Sequence, residues 1–144
     1  MLRQPLAAGL VIALLAGCAT TPAGPPAPPA AGNQFDGSYT GNNTQVRGGG
    51  EGCGPPAFVQ SLIVQGGRFN YPFAPNPPVV TQVPVQVFAD GTFLAKIQYG
   101  INEPTPLSLY KAYWLSIKGQ ITNGVLDATI DTQICVRHLQ LQKQ

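Results

Sequence analysis

The chain has 144 residues, enough for one modest folded domain, and only 10% of them are charged. Its net charge of +2 comes from scattered positions, and clustered Lys and Arg are needed to neutralise nucleic-acid phosphates, so we expect no nucleic-acid partner. The sequence contains no run of about 18 apolar residues, which excludes a membrane-spanning helix.

Residues 1–17 are typical of an export signal. Arg3 supplies a positive charge, and residues 6–17 form an apolar run too short to cross a bilayer as a helix. The run ends in Leu15-Ala16-Gly17-Cys18, which resembles the lipobox of bacterial lipoproteins. The resemblance implies cleavage before Cys18 and lipidation of that cysteine with two or three acyl chains, as diacylglycerol and palmitate. An ordinary secretory signal with a cysteine there by chance is the alternative.

The lipobox resemblance also implies a location. Two or three acyl chains make a membrane anchor effectively permanent, whereas a single chain binds only reversibly. The residue after Cys18 is Ala19 and not Asp, which in this family favours the outer membrane. We therefore expect a lipid-anchored protein of the bacterial cell envelope that faces the periplasm.

A tether follows the lipidated cysteine. Residues 18–33 are rich in Pro, Ala and Gly and lack large apolar side chains, so they cannot bury enough surface to fold. In polyproline geometry this segment would hold a domain up to about 45 Å from the lipid. The sequence predicts a folded domain over residues 34–144.

Apolar and polar residues alternate through most of this domain, which is typical of strands with one buried face. Eight strands are predicted, over residues 35–41, 58–65, 67–73, 80–88, 92–99, 112–121, 124–130 and 134–142. The Gly-containing breaks at 65–67, 89–91 and 122–124 predict tight hairpin turns. The Pro-rich segments 72–84 and 102–106 are predicted loops, and Pro84 within a strand pattern indicates an edge or a bulge.

Sequential hairpins predict an all-β fold. We expect a small antiparallel up-and-down β-barrel, which removes exposed strand edges, and a two-sheet β-sandwich is the alternative. The predicted inward residues are large enough to fill such a barrel. They are Phe35, Tyr39, Phe58, Leu62, Val64, Phe69, Tyr71, Phe73, Phe93, Ile97, Tyr99, Leu115, Ile117, Leu126, Ile130 and Leu139.

Cys53 and Cys135 remain as a pair once Cys18 is lipidated. Cys53 follows the first strand and Cys135 opens the last, and these strands are neighbours in a closed meander. The oxidising envelope permits disulfides, so we predict a structural Cys53–Cys135 bridge worth roughly 4 kcal/mol on the chain-entropy model. A metal or redox site is the alternative, but the sequence has no second cysteine pair and no His cluster.

Catalytic signatures are weak, and we expect no enzyme, no metal and no cofactor. His138 is the only histidine, and the alternation places it on the wet face of its strand. Asp127 and Asp131 are too far apart along one strand for the paired carboxylates of a glycosidase. Arg137 shares the inward face, and we expect it to reach water from the strand end; the alternative is a buried Arg137 with a partner or at a barrel mouth.

Tyr110, Tyr113 and Trp114 form a candidate interaction patch for an envelope protein or a glycan, and the alternative is that the loop at 102–109 folds over Trp114. A packed interior leaves the surface for function, so a non-enzymatic binding role is the leading hypothesis. A small-molecule carrier of the lipocalin or avidin type is the second, and an enzyme the third. The runs at 35–41 and 135–141 look like those of small uncharacterised envelope proteins, and the architecture is similar to lipoprotein inhibitors of lysozymes and proteases.

Overall fold

The computed structural model describes residues 28–49, 53–76, 78–102 and 110–144. In these ranges the chain forms β-strands and no α-helix, as the alternating pattern predicts. The predicted signal, Cys18 and most of the predicted tether lie outside the described residues. The strands are β1 (Gly37–Arg47), β2 (Ala57–Val64), β3 (Arg68–Asn76), β4 (Val79–Gln86), β5 (Thr92–Asn102), β6 (Tyr110–Thr122), β7 (Val125–Asp131) and β8 (Val136–Lys143).

The strands form two antiparallel sheets. Six of them make one sheet in the order β2-β1-β8-β7-β6-β5, and β3 pairs with β4 in a separate hairpin. Each pair joins consecutive strands except β1 and β8, the first and the last. The hydrogen-bonded ladder is interrupted between β2 and β3 and between β4 and β5, so it does not run around a closed barrel.

The predicted hairpin turns are confirmed. Gly66 and Gly67 both have positive φ, of 59° and 68°, and connect β2 to β3 in two residues. Asn123 and Gly124 make the equivalent turn between β6 and β7, with φ of 51° and 76°. These residue types suit the turns because Gly and Asn tolerate the left-handed backbone conformation.

Two prolines lie at the interruptions of the ladder. At the turn between β2 and β3, Gln65 and Arg68 exchange two backbone hydrogen bonds. If β2 and β3 continued to pair in this register, Pro72 would lie opposite Ser61 in a hydrogen-bonded pair. Pro84 would take the equivalent position across from Lys96, because Phe88 donates to Thr92 at the next turn. Proline has no N–H to donate, so each interruption contains a position that cannot complete the ladder. The edge predicted from Pro84 is confirmed.

One apolar cluster fills the space between the six-stranded sheet and the hairpin. Phe69 of β3 meets Phe93 of β5 edge to face, with ring centroids 5.2 Å apart, so the hairpin packs directly on the sheet. Every strand contributes to the cluster, including Tyr39, Leu62, Phe69, Val85, Phe93, Leu115, Leu126 and Leu139. Phe58 lies on the inward side as predicted, with its ring over the Arg137 guanidinium, but it is 40% exposed and is not part of the buried core.

Two predicted boundaries are also wrong. The first strand extends to Arg47 and not to residue 41, because its polar residues 42–45 pair with β8 in the same ladder. The predicted loop at 72–84 is mostly strand, since β3 and β4 cover all of it except residues 77 and 78. For the predicted loop at 102–106, Asn102 ends β5 and residues 103–106 lie outside the described ranges.

The body has two distinct ends. At the first, which we call the tether end, Ala30 bridges Phe88 and the Ala31 amide donates to the Val87 carbonyl. The backbone is therefore attached to the domain before the predicted boundary at residue 34. The opposite end, which we call the disulfide end, contains Cys53 and Cys135, after β1 and before β8.

Candidate functional site

A disulfide closes the body at the disulfide end. Cys53 and Cys135 are bonded, with Cα atoms 5.7 Å apart, as the sequence predicts. Gly48 packs against this bridge with a φ of 98°, and a Cβ there would lie 3.2 Å from the Cys53 sulfur. Only glycine fits this close approach without strain. The bridge thereby fixes the Cys53 backbone, whose carbonyl accepts a hydrogen bond from Arg137.

Arg137 lies inside the body at this end, with only 7% of its surface exposed. Its Nε donates to Oδ1 of Asn43 at 2.5 Å, and its terminal nitrogens donate to the carbonyls of Cys53 at 2.9 Å and Asn43 at 3.1 Å. The Phe58 ring covers the guanidinium, 4.9 Å from Cζ to the ring centroid. The prediction that Arg137 extends from the strand end into water is wrong, because three protein acceptors hold the guanidinium inside the body.

A network of neutral polar side chains surrounds the guanidinium. Asn43 and Gln60 are both buried, and Nδ2 of Asn43 donates to Oε1 of Gln60 at 2.7 Å and to the Tyr71 hydroxyl at 3.3 Å. The Asn43 amide thus uses its oxygen for Arg137 and its nitrogen for the other two residues. Such a connected network holds the cation in one position.

No carboxylate is paired with Arg137 among the described residues. The carboxylates in those ranges have other partners. Asp36 accepts hydrogen bonds from the amides of Gly66 and Gly67, and Asp90 accepts from Thr92. Asp127 contacts His138. Asp131 contacts Arg47 and accepts from the amide of Gln133. Within these parts of the chain, the positive charge of Arg137 is therefore compensated by carbonyl dipoles and the Phe58 ring, and not by an anion.

Burial changes the acidity of two groups in the network. It lowers the pKa of Arg137 by removing water from the cation, and the neighbouring Tyr71 opposes this shift. It raises the pKa of the Tyr71 phenol, against smaller lowering effects from the Asn43 hydrogen bond and the Arg137 charge. Arginine still stays protonated in proteins. At neutral pH the network therefore holds one positive charge beside a neutral phenol.

A cleft of about 300 Å³ opens beside this network. Arg137, Tyr71 and the disulfide line it, and all of these groups are themselves buried. The other walls are mainly apolar, with Pro55, Phe58, Phe73, Pro75 and Ile130. The volume is at the lower end of small-ligand sites, and a few polar groups among apolar walls are typical of such sites.

A wider depression of about 530 Å³ lies on the outer face of β5, β6 and β7. Its charged lining residues are Lys118, which is exposed, and Asp127, which is half-buried beside His138. Water already solvates these groups, so they add little to the binding of a charged ligand. The Arg137 cleft is the stronger candidate.

The predicted aromatic patch is divided between two faces of the sheet. Tyr113 packs against the core and stacks on Tyr99, with ring centroids 5.7 Å apart. Trp114 lies on the outer face, 43% exposed, with the Lys96 ammonium 4.9 Å from its ring centroid. Tyr110 begins β6, and its side chain lies outside the described residues. Tyr113 and Trp114 therefore do not form one exposed patch.

His138 lies on the outer face as the alternation predicts. Its Nε2 is 3.0 Å from Oδ2 of Asp127, and both side chains are a little under half exposed. Asp131 accepts a hydrogen bond from the Gln133 amide and lies 3.8 Å from Arg47. These contacts orient charged groups on the surface, and none of these side chains lines the Arg137 cleft.

Sequence patterns identified only part of the site. Asn43 and Gln60 were missed because apolar alternation gives no weight to polar residues in inward positions. Gln60 does have the same strand parity as the buried Leu62 and Val64, and Asn43 has that of Tyr39. Two polar residues at inward positions on adjacent strands are the signal that could have predicted a polar cluster around Arg137.

Comparisons of the chain with protein-family models, with curated proteins and with solved structures find no match. The described residues contain no helix long and apolar enough to span a membrane. They also contain no group of three or more His, Cys, Asp or Glu side chains placed to hold a metal ion. The candidate site is defined by Arg137, its hydrogen-bond partners and the adjoining cleft.

Proposed function

We propose that this protein is a bacterial envelope lipoprotein, cleaved before Cys18 and anchored to the outer membrane by acyl chains on that cysteine. The Leu15-Ala16-Gly17-Cys18 sequence supports the lipidation, and Ala19 supports the outer membrane. The Cys53–Cys135 disulfide agrees with an oxidising compartment outside the cytoplasm.

The domain is an up-and-down β-barrel that is open along two interruptions of its ladder. The neighbour order supports this description over two stacked sheets, because β1 pairs with β8 and all other pairs are consecutive. The tight turns at Gly66–Gly67 and at 89–91 keep each interrupted strand beside its neighbour at the tether end.

The domain acts as a binding module and not as an enzyme, with the Arg137 cleft as its binding surface. The observation that carries this proposal is the position of the cleft at the end opposite the chain's attachment at Pro29–Ala31. Residues 19–28 separate Cys18 from that attachment, and in an extended chain they would span about 30 Å. The cleft then opens away from the membrane, toward an envelope protein or the cell wall.

The exposed Trp114 is a second contact point in this proposal. An amphipathic ring on a sheet face suits contact with a protein or a glycan, and Lys96 adds a positive charge beside it. The test is a pull-down from envelope extracts with the native chain and with Trp114→Ala. Partners retained by the native chain should be lost or reduced with Trp114→Ala, and equal recovery would remove Trp114 from the interface.

A small-molecule carrier is the second candidate function, and the volume of the cleft favours it. Its ligand would occupy the cleft at the disulfide end, because the apolar cluster fills the centre of the body. This differs from a lipocalin-type carrier, which holds its ligand inside the barrel.

Fractionation of cells tests the anchoring. The native chain should sediment with the outer membrane, and Cys18→Ser should leave the protein soluble or retained as the uncut precursor. Thr20→Ala is the matched control, since it changes the adjacent tether and keeps the cysteine. A native chain found in the soluble fraction would contradict the proposal.

A further inference from the structure

The guanidinium of Arg137 has unused binding capacity. Arginine carries five N–H groups, and three of them donate to Asn43 and Cys53. One N–H on each terminal nitrogen remains without an acceptor among the described residues. Two N–H groups on adjacent nitrogens match the two oxygens of a carboxylate.

Tyr71 adds a further donor on the same cleft. Its hydroxyl oxygen accepts from Asn43, and its proton has no acceptor among the described residues. The raised pKa of this phenol keeps the proton in place at neutral pH. Arg137 and Tyr71 together offer a cation and a neutral donor to one anionic group.

The walls of the cleft select the type of anion. No second Lys or Arg among the described residues lines it, so a singly charged group suits it better than a phosphate dianion. Phe58, Phe73 and Pro55 provide apolar surface for the body of the ligand.

We infer that the Arg137 cleft binds a carboxylate attached to an apolar group, either a small organic acid or the carboxyl terminus of a peptide. The inference rests on the proposed binding role and names its ligand chemistry. It is independent of the lipid anchor, so the fractionation experiment and the binding experiment can fail separately.

Titration calorimetry on the purified full chain tests the inference with three matched probes. N-acetylphenylalanine represents a peptide terminus, 3-phenylpropionate a free acid, and N-acetylphenylalaninamide removes the charge alone. Both acids should bind at least about tenfold more tightly than the amide. The acid that binds more tightly shows whether the natural ligand is a peptide carboxyl terminus or a small organic acid. Equal affinity for the amide, or tighter binding of inorganic phosphate, would overturn the inference.

Variants locate the binding. Arg137→Met should abolish acid binding, and Arg68→Met at the tether end is the matched control that should leave it unchanged. If Arg137→Met does not fold, Tyr71→Phe keeps the test decisive: it should weaken acid binding several-fold and leave amide binding unchanged. Unchanged acid binding in Tyr71→Phe, together with an unshifted Arg137 Nε–H resonance on addition of acid, would overturn the inference.

Glu51 provides an internal check, since it precedes Cys53 in the sequence and lies outside the described residues. If the Glu51 carboxylate already neutralised Arg137 in the native chain, acids would bind only to the Glu51→Gln variant. Acid binding restricted to that variant would overturn the inference, and binding by the native chain supports it.

Discussion

At the scale of single residues, Arg137 and Asn43 depend on each other. Asn43 accepts from two nitrogens of the guanidinium, through its side chain and its backbone. An Arg without these acceptors would carry a buried charge with unmet hydrogen bonds, which costs more than a neutral group left unpaired. Each residue therefore contributes to stability mainly through its contact with the other.

A double-mutant cycle measures this dependence. Asn43→Leu should lower the free energy of unfolding by about 3 kcal/mol, since it leaves the Nε–H of Arg137 unpaired. Arg137→Met should also destabilise, and the double variant should lose less than the sum, by about 1–3 kcal/mol. Urea unfolding measures all four chains. The exposed pair Arg68 and Gln86, joined at 2.7 Å, is the control and should be nearly additive. Additivity at Asn43 and Arg137 would contradict the described contact.

Tyr71 predicts a loss of stability in alkali. Its folded pKa is raised, so its contribution is fully present below about pH 10, where the unfolded tyrosine ionises, and is lost as the pH rises through the folded value. The free energy of unfolding should fall above about pH 10. Tyr71→Phe should reduce this slope without removing it, because burial also raises the pKa of Tyr39 and Tyr99. Urea unfolding from about pH 8 to about pH 11 measures the slope, and an identical slope in Tyr71→Phe would contradict the buried phenol.

Sequence patterns predicted a buried Phe58 and an Arg137 that reaches water from the same inward face, whereas Phe58 is 40% exposed and Arg137 only 7%. Average hydrophobicity assigns aromatic residues to the core, and that is correct for Phe69 and Phe93. It fails at the disulfide end because three acceptors are fixed there by tertiary contacts between distant segments. Such acceptors cannot be predicted from residue type alone.

At the scale of elements, prolines account for the two places where the ladder is interrupted. Pro72 lies at the edge of β3 that faces β2, and Pro84 at the edge of β4 that faces β5. Proline at such an edge also prevents another chain from adding a strand, which is a common protection against aggregation. The exposed Val59 and Ile63 of β2 lie beside one of these edges.

Restoring the missing donor tests this explanation. In Pro72→Val the new amide should bond to the carbonyl of Ser61 and become protected from hydrogen exchange. Stability should change little, because one added hydrogen bond of about 1 kcal/mol is offset by the lost rigidity of proline in the unfolded chain. Exchange monitored by NMR is therefore the decisive measurement. Rapid exchange of the amide introduced by Pro72→Val would show that proline is not what keeps β2 and β3 apart.

The elements themselves were largely predictable, because alternation and turn chemistry are local properties. The turns at Gly66–Gly67 and Asn123–Gly124 follow directly from residue type. The extension of β1 to Arg47 was not predictable, since its polar residues are held by pairing with a strand about 95 residues away. The pairing of β1 with β8 was expected from a closed meander, and this adjacency together with the two remaining cysteines made the disulfide predictable.

At the scale of the whole molecule, the attachment of the chain and the candidate binding cleft lie at opposite ends of the domain. The chain joins the body near Val87, and the cleft opens beside the Cys53–Cys135 bridge. The bridge encloses a long loop, for which the chain-entropy model gives a stabilisation of about 4 kcal/mol. It also positions the Cys53 carbonyl that accepts from Arg137, so folding and the candidate site depend on the same covalent bond.

The intact mass of the protein, extracted from bacterial membranes without reductant, tests the lipid anchor and the disulfide together. We expect a chain that begins at Cys18, carries two or three acyl chains, and takes up no thiol reagent until Cys53–Cys135 is reduced. A mature chain that begins elsewhere, bears no acyl group, or has two free thiols would contradict it.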